Sequence, residues 1–357
     1  MSAGRTVARI LVLRLSALGD LVQLTRTVNV LHAHWPAARI DLLTSPLGES
    51  LFRGSGLFDA FRVWPHRSLL HHPLESLRFV RHLRRERYDL VVDMHCKRIT
   101  GYLALLAHGK RLIRNGTPPL HRTFLGKHRK PALRIDAMLR GLGEPEAAVA
   151  RSMAAYRVAL PIPAANRERM QRRLTEAGRD PARPLVALSP GSSPGWPSKR
   201  WPAERFRALA AELGRRGIAV AVTGAPEEAG LAREVAAGLE GVYCLAGETT
   251  LPELAALMSL ARVAVTNDSG PMHLAAAAGT PAVALFGPTA AARYGPDTLY
   301  GAPHLSLEVP PPCAPCYRGH CDKERLLCLE GIALERVLAA VLERLGPTAD
   351  RVPAAGR

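Results

Sequence analysis

Residues 263–289 read VAVTNDSGPMHLAAAAGTPAVALFGPT, and this stretch decides the fold. An apolar run ends at Asp268, a Ser-Gly-Pro turn follows, and a helix of small residues leads to a second apolar run at 282–286. Strands that alternate with helices are typical of a parallel sheet. In such a sheet ligands bind beyond the carboxyl ends of the strands, so the turn after Asp268 is a candidate binding loop.

The same alternation continues on both sides of this stretch. In the second half, strands are predicted at 185–188, 218–223 and 263–266 and helices at 167–178 and 202–216. In the first half, strands are predicted at 8–15, 40–44 and 90–93, with one helix from the loop 16–20 to about 34 and another at 74–87. We therefore predict two α/β domains, 1–163 and 164–357, with a linker at about 161–184 and an interdomain cleft. The last helix could pack back on the first domain.

The charge of the chain is uneven. Lys and Arg outnumber Asp and Glu by 48 to 31, a net charge of +17 with His neutral. Residues 1–160 carry 26 basic and 11 acidic side chains, whereas residues 161–357 carry 22 and 20. A basic half indicates an anionic partner: nucleic acid, anionic lipid or a phosphorylated small molecule. Nucleic acid is disfavoured, because aromatic residues are only 5% and no nucleic-acid-binding motif is present.

The chain carries no predicted membrane span. No run reaches the roughly 20 apolar residues that cross a bilayer. The apolar stretch near the N-terminus is interrupted by Arg14 and followed by Asp20, which makes it too short for a signal peptide. We therefore expect a cytoplasmic protein.

Four of the six cysteines lie close together, at Cys313, Cys316, Cys321 and Cys328. In a cytoplasmic protein this clustering indicates a structural Zn²⁺ or iron–sulfur site. The alternative is four reduced thiols on one loop.

Two further loops contain residues suited to chemistry. In the loop 15–20, Gly19 lets backbone N–H groups approach a ligand, and Asp20 is either a helix cap or a general base. In the loop 189–202, small hydroxyl residues precede Lys199 and Arg200, which is typical of an anion cradle or of a solvated turn. Neither loop matches the common phosphate-binding fingerprints.

The turn after Asp268 is the most specific of the three loops. It is followed by a helix start, whose successive N–H groups suit a diphosphate. A lone Asp or His is usually structural, but the combination Asp-Ser-Gly-x-x-His is far more specific to a ligand site.

In this order and spacing, the motifs resemble those of glycosyltransferase family 9, which includes ADP-heptose:lipopolysaccharide heptosyltransferases. The resemblance covers nearly the whole chain and is carried by Leu18-Gly19-Asp20, Lys199-Arg200-Trp201-Pro202, Asn267-Asp268-Ser269-Gly270-Pro271-Met272-His273 and Phe286-Gly287-Pro288-Thr289. The third motif is most similar to the heptosyltransferase II branch. The resemblance implies an α/β GT-B fold with two Rossmann-like domains and parallel sheets facing across a cleft. It also implies inverting transfer of heptose from ADP-heptose to the lipid A-linked inner core of lipopolysaccharide, with no required cofactor. The expected protein is a monomer on the cytoplasmic face of the inner membrane.

The resemblance also assigns roles to single residues. Asp20 would be the general base, and Lys199 would neutralise the departing diphosphate. The donor would be bound by Ser192, Ser193, Lys199, Glu228 (preferred over Glu227), Asp268, Ser269, Gly270, Met272 and His273. The acceptor would be bound by Gly19, Arg78, Arg81, Arg85 and Arg98, although a solvated basic face is the alternative. The loop 193–199 is longer than the family pattern, which leaves the roles of the two serines open.

Two other functions remain open from the sequence. One is a GT-B transferase for another nucleotide sugar or for an acceptor other than lipopolysaccharide, since no spacing distinguishes adenine from uracil. The other is a non-catalytic module that binds anionic lipid or nucleic acid.

Overall fold

The computed structural model describes residues 7–64, 73–95, 97–107, 109–115, 124–125, 139–140 and 144–346. The chain separates into two compact units, Met1–Pro161 and Ile162–Arg357. None of the described helices is long and apolar enough to cross a bilayer.

The first unit is a six-stranded parallel sheet with helices. Its strands are β1 (Arg9–Leu13), β2 (Arg39–Thr44), β3 (Ala60–Val63), β4 (Leu90–Asp93), β5 (Arg111–Asn115) and β6 (Phe124–Leu125). Its helices are α1 (Leu18–His34), α2 (Pro46–Phe52), α3 (Pro73–Arg85), α4 (Arg98–Leu106) and α5 (Glu146–Met153). The strand order is β3-β2-β1-β4-β5-β6. The central strands β1 and β4 are mostly apolar, and every residue in them except Arg9 is buried, as expected for a sheet covered on both faces.

The second unit repeats this topology. Its strands are β7 (Leu185–Ser189), β8 (Ala219–Val222), β9 (Val242–Cys244), β10 (Val263–Asn267), β11 (Ala282–Phe286) and β12 (Leu305–Glu308). Its helices are α6 (Ala164–Glu176), α7 (Ala203–Arg215), α8 (Ala229–Ala236), α9 (Leu251–Leu260), α10 (Gly270–Ala277), α11 (Ala291–Tyr294), α12 (Pro296–Tyr300), α13 (Leu327–Glu330) and α14 (Leu334–Leu345). The strand order β12-β11-β10-β7-β8-β9 is the Rossmann order, with its switch point between β7 and β10.

The predicted α/β alternation is confirmed in both halves, with bounds shifted by a few residues. The strand expected at 8–15 ends at Leu13, where the chain turns toward α1. The sequence did not predict the strands at or near the sheet edges, β3, β5, β6, β9 and β12. β6 and β9 have only two and three residues, and β3, β5 and β12 are interrupted by Arg or Ser, so none of them forms a continuous apolar run of four residues or more.

The last described helix belongs to the core of the second unit. Val337, Val341 and Leu345 of α14 are buried in the cluster that also contains Phe206 of α7 and Val265 of β10. Its apolar face completes the layer over β10 and β11. Packing of the last helix on the first domain, which the sequence left open, stays a prediction.

His304 makes a pH-sensitive contact in the second unit. Its Nδ1 accepts the N–H of Ala282 at 3.2 Å, which needs the neutral ring. Burial, together with the positive charge of Arg344, lowers the pKa of His304 below its ordinary value of 6.5. The unfolded chain therefore takes up this proton at a higher pH than the folded chain. The contribution of His304 to stability is full above about pH 6.5 and decreases as the pH falls.

The His304→Asn variant keeps a hydrogen-bond acceptor but cannot titrate. We expect its urea midpoint to fall less between pH 7 and pH 5 than that of the wild-type protein. The exposed His320, replaced in the same way, serves as the control and should leave the wild-type pH dependence unchanged. Equal losses in wild type and His304→Asn would contradict the assignment.

Candidate functional site

Three loops meet at the carboxyl edge of the second sheet, because β7, β10 and β11 are neighbours. Thr266 of β10 pairs with Ser189 of β7, and Asn267 pairs with Leu285 of β11. The loops that follow these strands therefore start side by side at the switch point, where α/β sheets bind ligands.

Asn267 holds the loop after β7 in place. Its buried side chain donates from Nδ2 to Pro190 O at 2.7 Å and to Gly191 O at 3.0 Å. Its Oδ1 accepts the N–H of Trp201 at 3.0 Å, so one amide ties both ends of the loop to β10. The sequence reasoning assigned Asn267 no role, although a polar residue at the end of an apolar strand was a usable signal.

Lys199, Asp268 and Thr289 form one cluster. Lys199 Nζ lies 2.7 Å from Asp268 Oδ2, and Thr289 Oγ1 donates to the same oxygen at 2.6 Å. The Lys199 and Asp268 side chains are only 17% and 9% exposed, so their interaction is weakly screened. Lys199 Nζ also lies 4.7 Å from the centre of the Trp196 ring, a cation–π contact. The sequence pattern predicted no role in the site for Thr289 or Trp196.

The start of α10 lies directly after this cluster. Ser269 is the N-cap residue, but its side chain makes no capping hydrogen bond to the helix; its Oγ lies 3.4 Å from Asn267 O. The positive end of α10 is therefore available to an anion. His273 in the first turn hydrogen-bonds through Nδ1 to Tyr300 Oη at 2.5 Å.

The structure corrects the predicted role of Met272. Its side chain is fully buried and packs with Phe286 and Ala291. Its N–H donates to Ser269 O at 3.2 Å. The side chain belongs to the core because α10 turns that face toward the sheet, so it does not line the surface beside Lys199 and Asp268.

The two predicted serines differ in environment. Ser192 is buried; its Oγ donates to Trp196 O at 2.7 Å and accepts from Arg200 Nε at 3.1 Å. Its hydroxyl therefore stabilises the loop instead of facing a ligand. Ser193 is exposed.

Glu228 lies against the loop after β7. Its Oε2 accepts the N–H of Ala225 at 2.8 Å, and a Cβ added to Gly191 would come within 2.1 Å of its carboxylate carbon. Glu227 is exposed. The placement of Glu228 beside Gly191 supports the preference for it over Glu227.

In the first unit, Asp20 lies in the first turn of α1. Its carboxylate accepts the N–H of Ala17 at 3.4 Å and forms an ion pair with Arg14, while its side chain stays 50% exposed. Arg14 also donates to Ser16 O and Met94 O, which fixes the guanidinium. Asp20 thus caps its helix and still presents a carboxylate to solvent, so the two interpretations of this residue are compatible. The role of Arg14 was missed.

His95 lies near Asp20, two residues beyond β4. Its backbone N–H donates to Asp93 Oδ1 at 3.0 Å, and its buried Nδ1 has no hydrogen-bond partner among the described residues. Burial and the positive charge of Arg14 lower the pKa of His95, against the opposing charges of Asp93 and Asp20. The ring is therefore neutral near pH 7.

The predicted acceptor residues lie on two helices and at one helix start. Gly19 is in the first turn of α1. Arg78, Arg81 and Arg85 are exposed on α3, on a stripe opposite the buried Val80 and Leu83. Arg98 begins α4, and its side chain lies outside the described residues.

The four clustered cysteines are reduced and line one pocket. Burial, with the neighbouring Cys321 and Cys313, raises the pKa of the Cys328 thiol. In the part of the chain that the structure describes, no three Cys, His, Asp or Glu side chains are placed to hold a metal ion. The structural Zn²⁺ or iron–sulfur site indicated by the sequence stays a prediction.

Two Rossmann-like units, the second with a lysine, a carboxylate and a helix start at its switch point, define the GT-B class of fold. Residues 76–326 match the sequence profile of glycosyltransferase family 9 (heptosyltransferase), and the chain belongs to this family.

Individual relatives agree with this assignment. Lipopolysaccharide heptosyltransferase 2 of Salmonella typhimurium is 40% identical over 112 residues, which are 30% of this chain and 32% of that protein. The match thus spans about a third of the relative's length. A family 9 glycosyltransferase from Veillonella parvula superposes with a TM-score of 0.77 at 24% identity, covering 96% of this chain and 98% of that one. ADP-heptose lipopolysaccharide heptosyltransferase II of E. coli superposes with a TM-score of 0.69 at 22% identity, covering 94% and 98%. The two structures establish the likeness of fold.

Proposed function

We propose that this protein is an inverting heptosyltransferase that moves heptose from ADP-heptose to the inner core of lipid A-linked lipopolysaccharide. The observation that carries the proposal is the cluster of Lys199, Asp268 and Thr289 beside the start of α10. A nearly buried ammonium next to a helix N-terminus suits the leaving group of a nucleotide diphosphate sugar.

The donor half of the reaction follows from this cluster. As the bond between the anomeric carbon and the diphosphate oxygen breaks, negative charge grows on the diphosphate. Lys199 and the positive end of α10, including the N–H of Gly270, would stabilise that charge without a cofactor. Asp268 would hold Lys199 in position, while Thr289 donates to the same carboxylate oxygen.

The acceptor half is assigned to Asp20. Its half-exposed carboxylate would accept the proton of the acceptor hydroxyl while that oxygen attacks the anomeric carbon from the side opposite the diphosphate. Attack from that side inverts the anomeric configuration. Arg14 would fix the carboxylate orientation through its ion pair.

The direct test is to incubate the purified protein with ADP-heptose and heptosylated lipid A–inner core. We expect release of ADP and a gain of one heptose in the acceptor by mass spectrometry. No transfer from any heptose donor to any core acceptor would overturn the proposal. A thermal-shift comparison of ADP, UDP and GDP tests the alternative donors, because a ligand stabilises the state that binds it.

Glu228 is proposed to hydrogen-bond the donor ribose, and Gly191 offers a test. In the Gly191→Ala variant the new Cβ would displace the Glu228 carboxylate, which it would otherwise approach within 2.1 Å. We expect the affinity for ADP to fall by roughly ten- to a hundredfold, as for loss of a hydrogen bond to a charged group.

Titration calorimetry with ADP measures this change. Gly230→Ala is the matched control, because a Cβ at Gly230 would meet nothing within 4 Å. If the Gly191→Ala variant binds ADP within twofold of wild type, the proposed contact of Glu228 with the donor is wrong.

We infer further that the first unit binds the anionic cytoplasmic face of the inner membrane, and the exposed stripe on α3 favours this. Leu74 and Leu77 are 71% and 46% exposed and lie at helical spacing from Arg78, Arg81 and Arg85. Leucines that enter the interface and arginines that contact lipid phosphates are the pattern of an interfacial helix. Because α3 follows β3, its first turn lies toward the same edge of the sheet as Asp20.

Replacing Arg78, Arg81 and Arg85 together by glutamine tests this inference. At about 1 kcal/mol per basic residue near the surface, binding to phosphatidylglycerol vesicles should weaken by about 100-fold at low salt. The control replaces Arg167, Arg169 and Arg172 on α6, which are equally exposed, and should bind as the wild type does. Co-sedimentation measures both. Equal binding by the two triple variants would contradict a role for α3.

A further inference from the structure

The cysteine-rich segment between β12 and α13, residues 309–326, contacts the two loops that hold Asp268. Residues 317–319 of this segment, which we call the strap, make these contacts. The strap carries no residue with a role in the proposed transfer. The whole segment 309–326 has no helix or strand of its own, and ordered loops of that length are commonly functional.

On one side, the strap holds the residue before Lys199. Ser198 N–H donates to Gly319 O at 3.2 Å, and Ser198 Oγ donates to Arg318 O at 2.6 Å. Ser198 is only 4% exposed, so neither bond is easily replaced by water. Gly319 packs so closely that an added Cβ would lie 2.2 Å from Gly195 O.

On the other side, the strap holds the residue before Thr289. Tyr317 N–H donates to Pro288 O at 2.8 Å. Just beyond the segment, Cys328 Sγ would lie 3.0 Å from a Cβ at Gly287, so α13 packs on the same loop. The two groups that bond to Asp268 Oδ2, Lys199 Nζ and Thr289 Oγ1, thus each lie one residue from a hydrogen bond to the strap.

We propose that the strap is a positioning element of the donor site, acting through Ser198 on Lys199 and through Pro288 on Thr289. The ligand class is that of the proposed function, a nucleoside diphosphate, and the inference rests on that function for its effect on binding. Loosening the strap would let Lys199 and Thr289 move apart around Asp268 while the core of the second unit stays intact.

The test uses two variants in the full chain, Ser198→Ala and Gly319→Ala. The first removes the bond to Arg318 O, and the second forces the strap away from Gly195. Ser259→Ala is the control for the first variant. Ser259 Oγ also donates to a backbone carbonyl, that of Ala256 in the same helix α9, at 2.7 Å. Gly230→Ala is the control for the second.

Two measurements are made. Hydrogen–deuterium exchange of the ligand-free proteins should speed up in peptides covering both 193–201 and 286–290 in the two variants, but not in the controls. Affinity for ADP should fall by about three- to tenfold, the effect of one misplaced hydrogen bond. Ser198→Thr, which keeps the hydroxyl, should bind ADP within twofold of wild type.

The outcomes separate the two proposals. Unchanged exchange in either loop, or a loss of ADP affinity no larger than in the controls, would contradict the proposed positioning role of the strap. If wild-type protein fails to bind ADP, the proposed function fails, and the exchange data alone then decide whether the strap holds the two loops.

Discussion

Replacing Lys199 by alanine is expected to lower the rate of heptose transfer by about 10²–10³-fold, the cost of removing one preorganised donor to a developing anion. The variant also leaves the buried Asp268 with Thr289 as its remaining partner in the cluster. A loss of stability of up to about 3 kcal/mol therefore accompanies the loss of rate. Steady-state kinetics and urea unfolding measure the two effects separately.

Two further variants separate a role of Lys199 in stability from its role at the leaving group. The double variant Lys199→Met with Asp268→Asn carries no unpaired charge, so it should recover stability without recovering turnover. Lys110→Ala is the matched control, since Lys110 Nζ lies 2.6 Å from Asp89 Oδ1 on the surface of the first unit. Recovery of turnover in the double variant would show that Lys199 serves the fold and not the leaving group.

Replacing Asp20 by asparagine is expected to reduce turnover by about 10²–10⁴-fold, because the amide cannot take the acceptor proton. Asparagine keeps an oxygen that can accept the Ala17 N–H, so α1 should retain its cap. Affinity for ADP should be unchanged, since every proposed donor contact lies in the second unit.

The control for Asp20→Asn is Glu49→Gln. Glu49 is another carboxylate of the first unit in an ion pair with an arginine, with Arg53 Nη2 at 2.5 Å from Oε1. The control should transfer heptose at the wild-type rate. If Asp20→Asn retains more than a tenth of the wild-type turnover, another group is the base, and His95, the neutral imidazole near Asp20, is the next candidate.

The two parallel sheets could be predicted from the sequence because their central strands are recognisable from local sequence pattern. Strands such as β1, β4, β7, β10 and β11 are continuous apolar runs that end in polar turns, and this pattern is readable within a few residues. The edge strands were missed because their residues are few and only partly buried. In β3 and β9, for example, every residue is partly exposed.

The candidate site could be predicted only in part. Lys199, Asp268 and Asp20 could be proposed from the sequence because each lies in the segment after a strand, where a parallel sheet gathers ligand-binding groups. Met272 and Ser192 share those loops, but a single motif does not tell which side chain faces the sheet. Burial of Met272 in the core is a property of how α10 packs.

Three of the basic residues of the first half lie on one described surface. The count of charges indicated an anionic partner but no surface. The structure puts Arg78, Arg81 and Arg85 on one solvent-facing stripe with two leucines. A helix with that spacing is visible in the sequence, whereas the choice of which side faces solvent depends on the packing of Val80 and Leu83.

The sequence by itself determined the fold class, the family and the loops in which chemistry can occur, since local pattern and motif spacing carry that information. Only the tertiary structure decided which groups act together. Lys199 and Asp268 are 69 residues apart in the chain, and Ser198 and Arg318 are 120 apart. Contacts of that kind arise from strand order and loop packing, which no local periodicity encodes. The ion pair at the switch point and the strap that holds it are therefore properties of the folded chain.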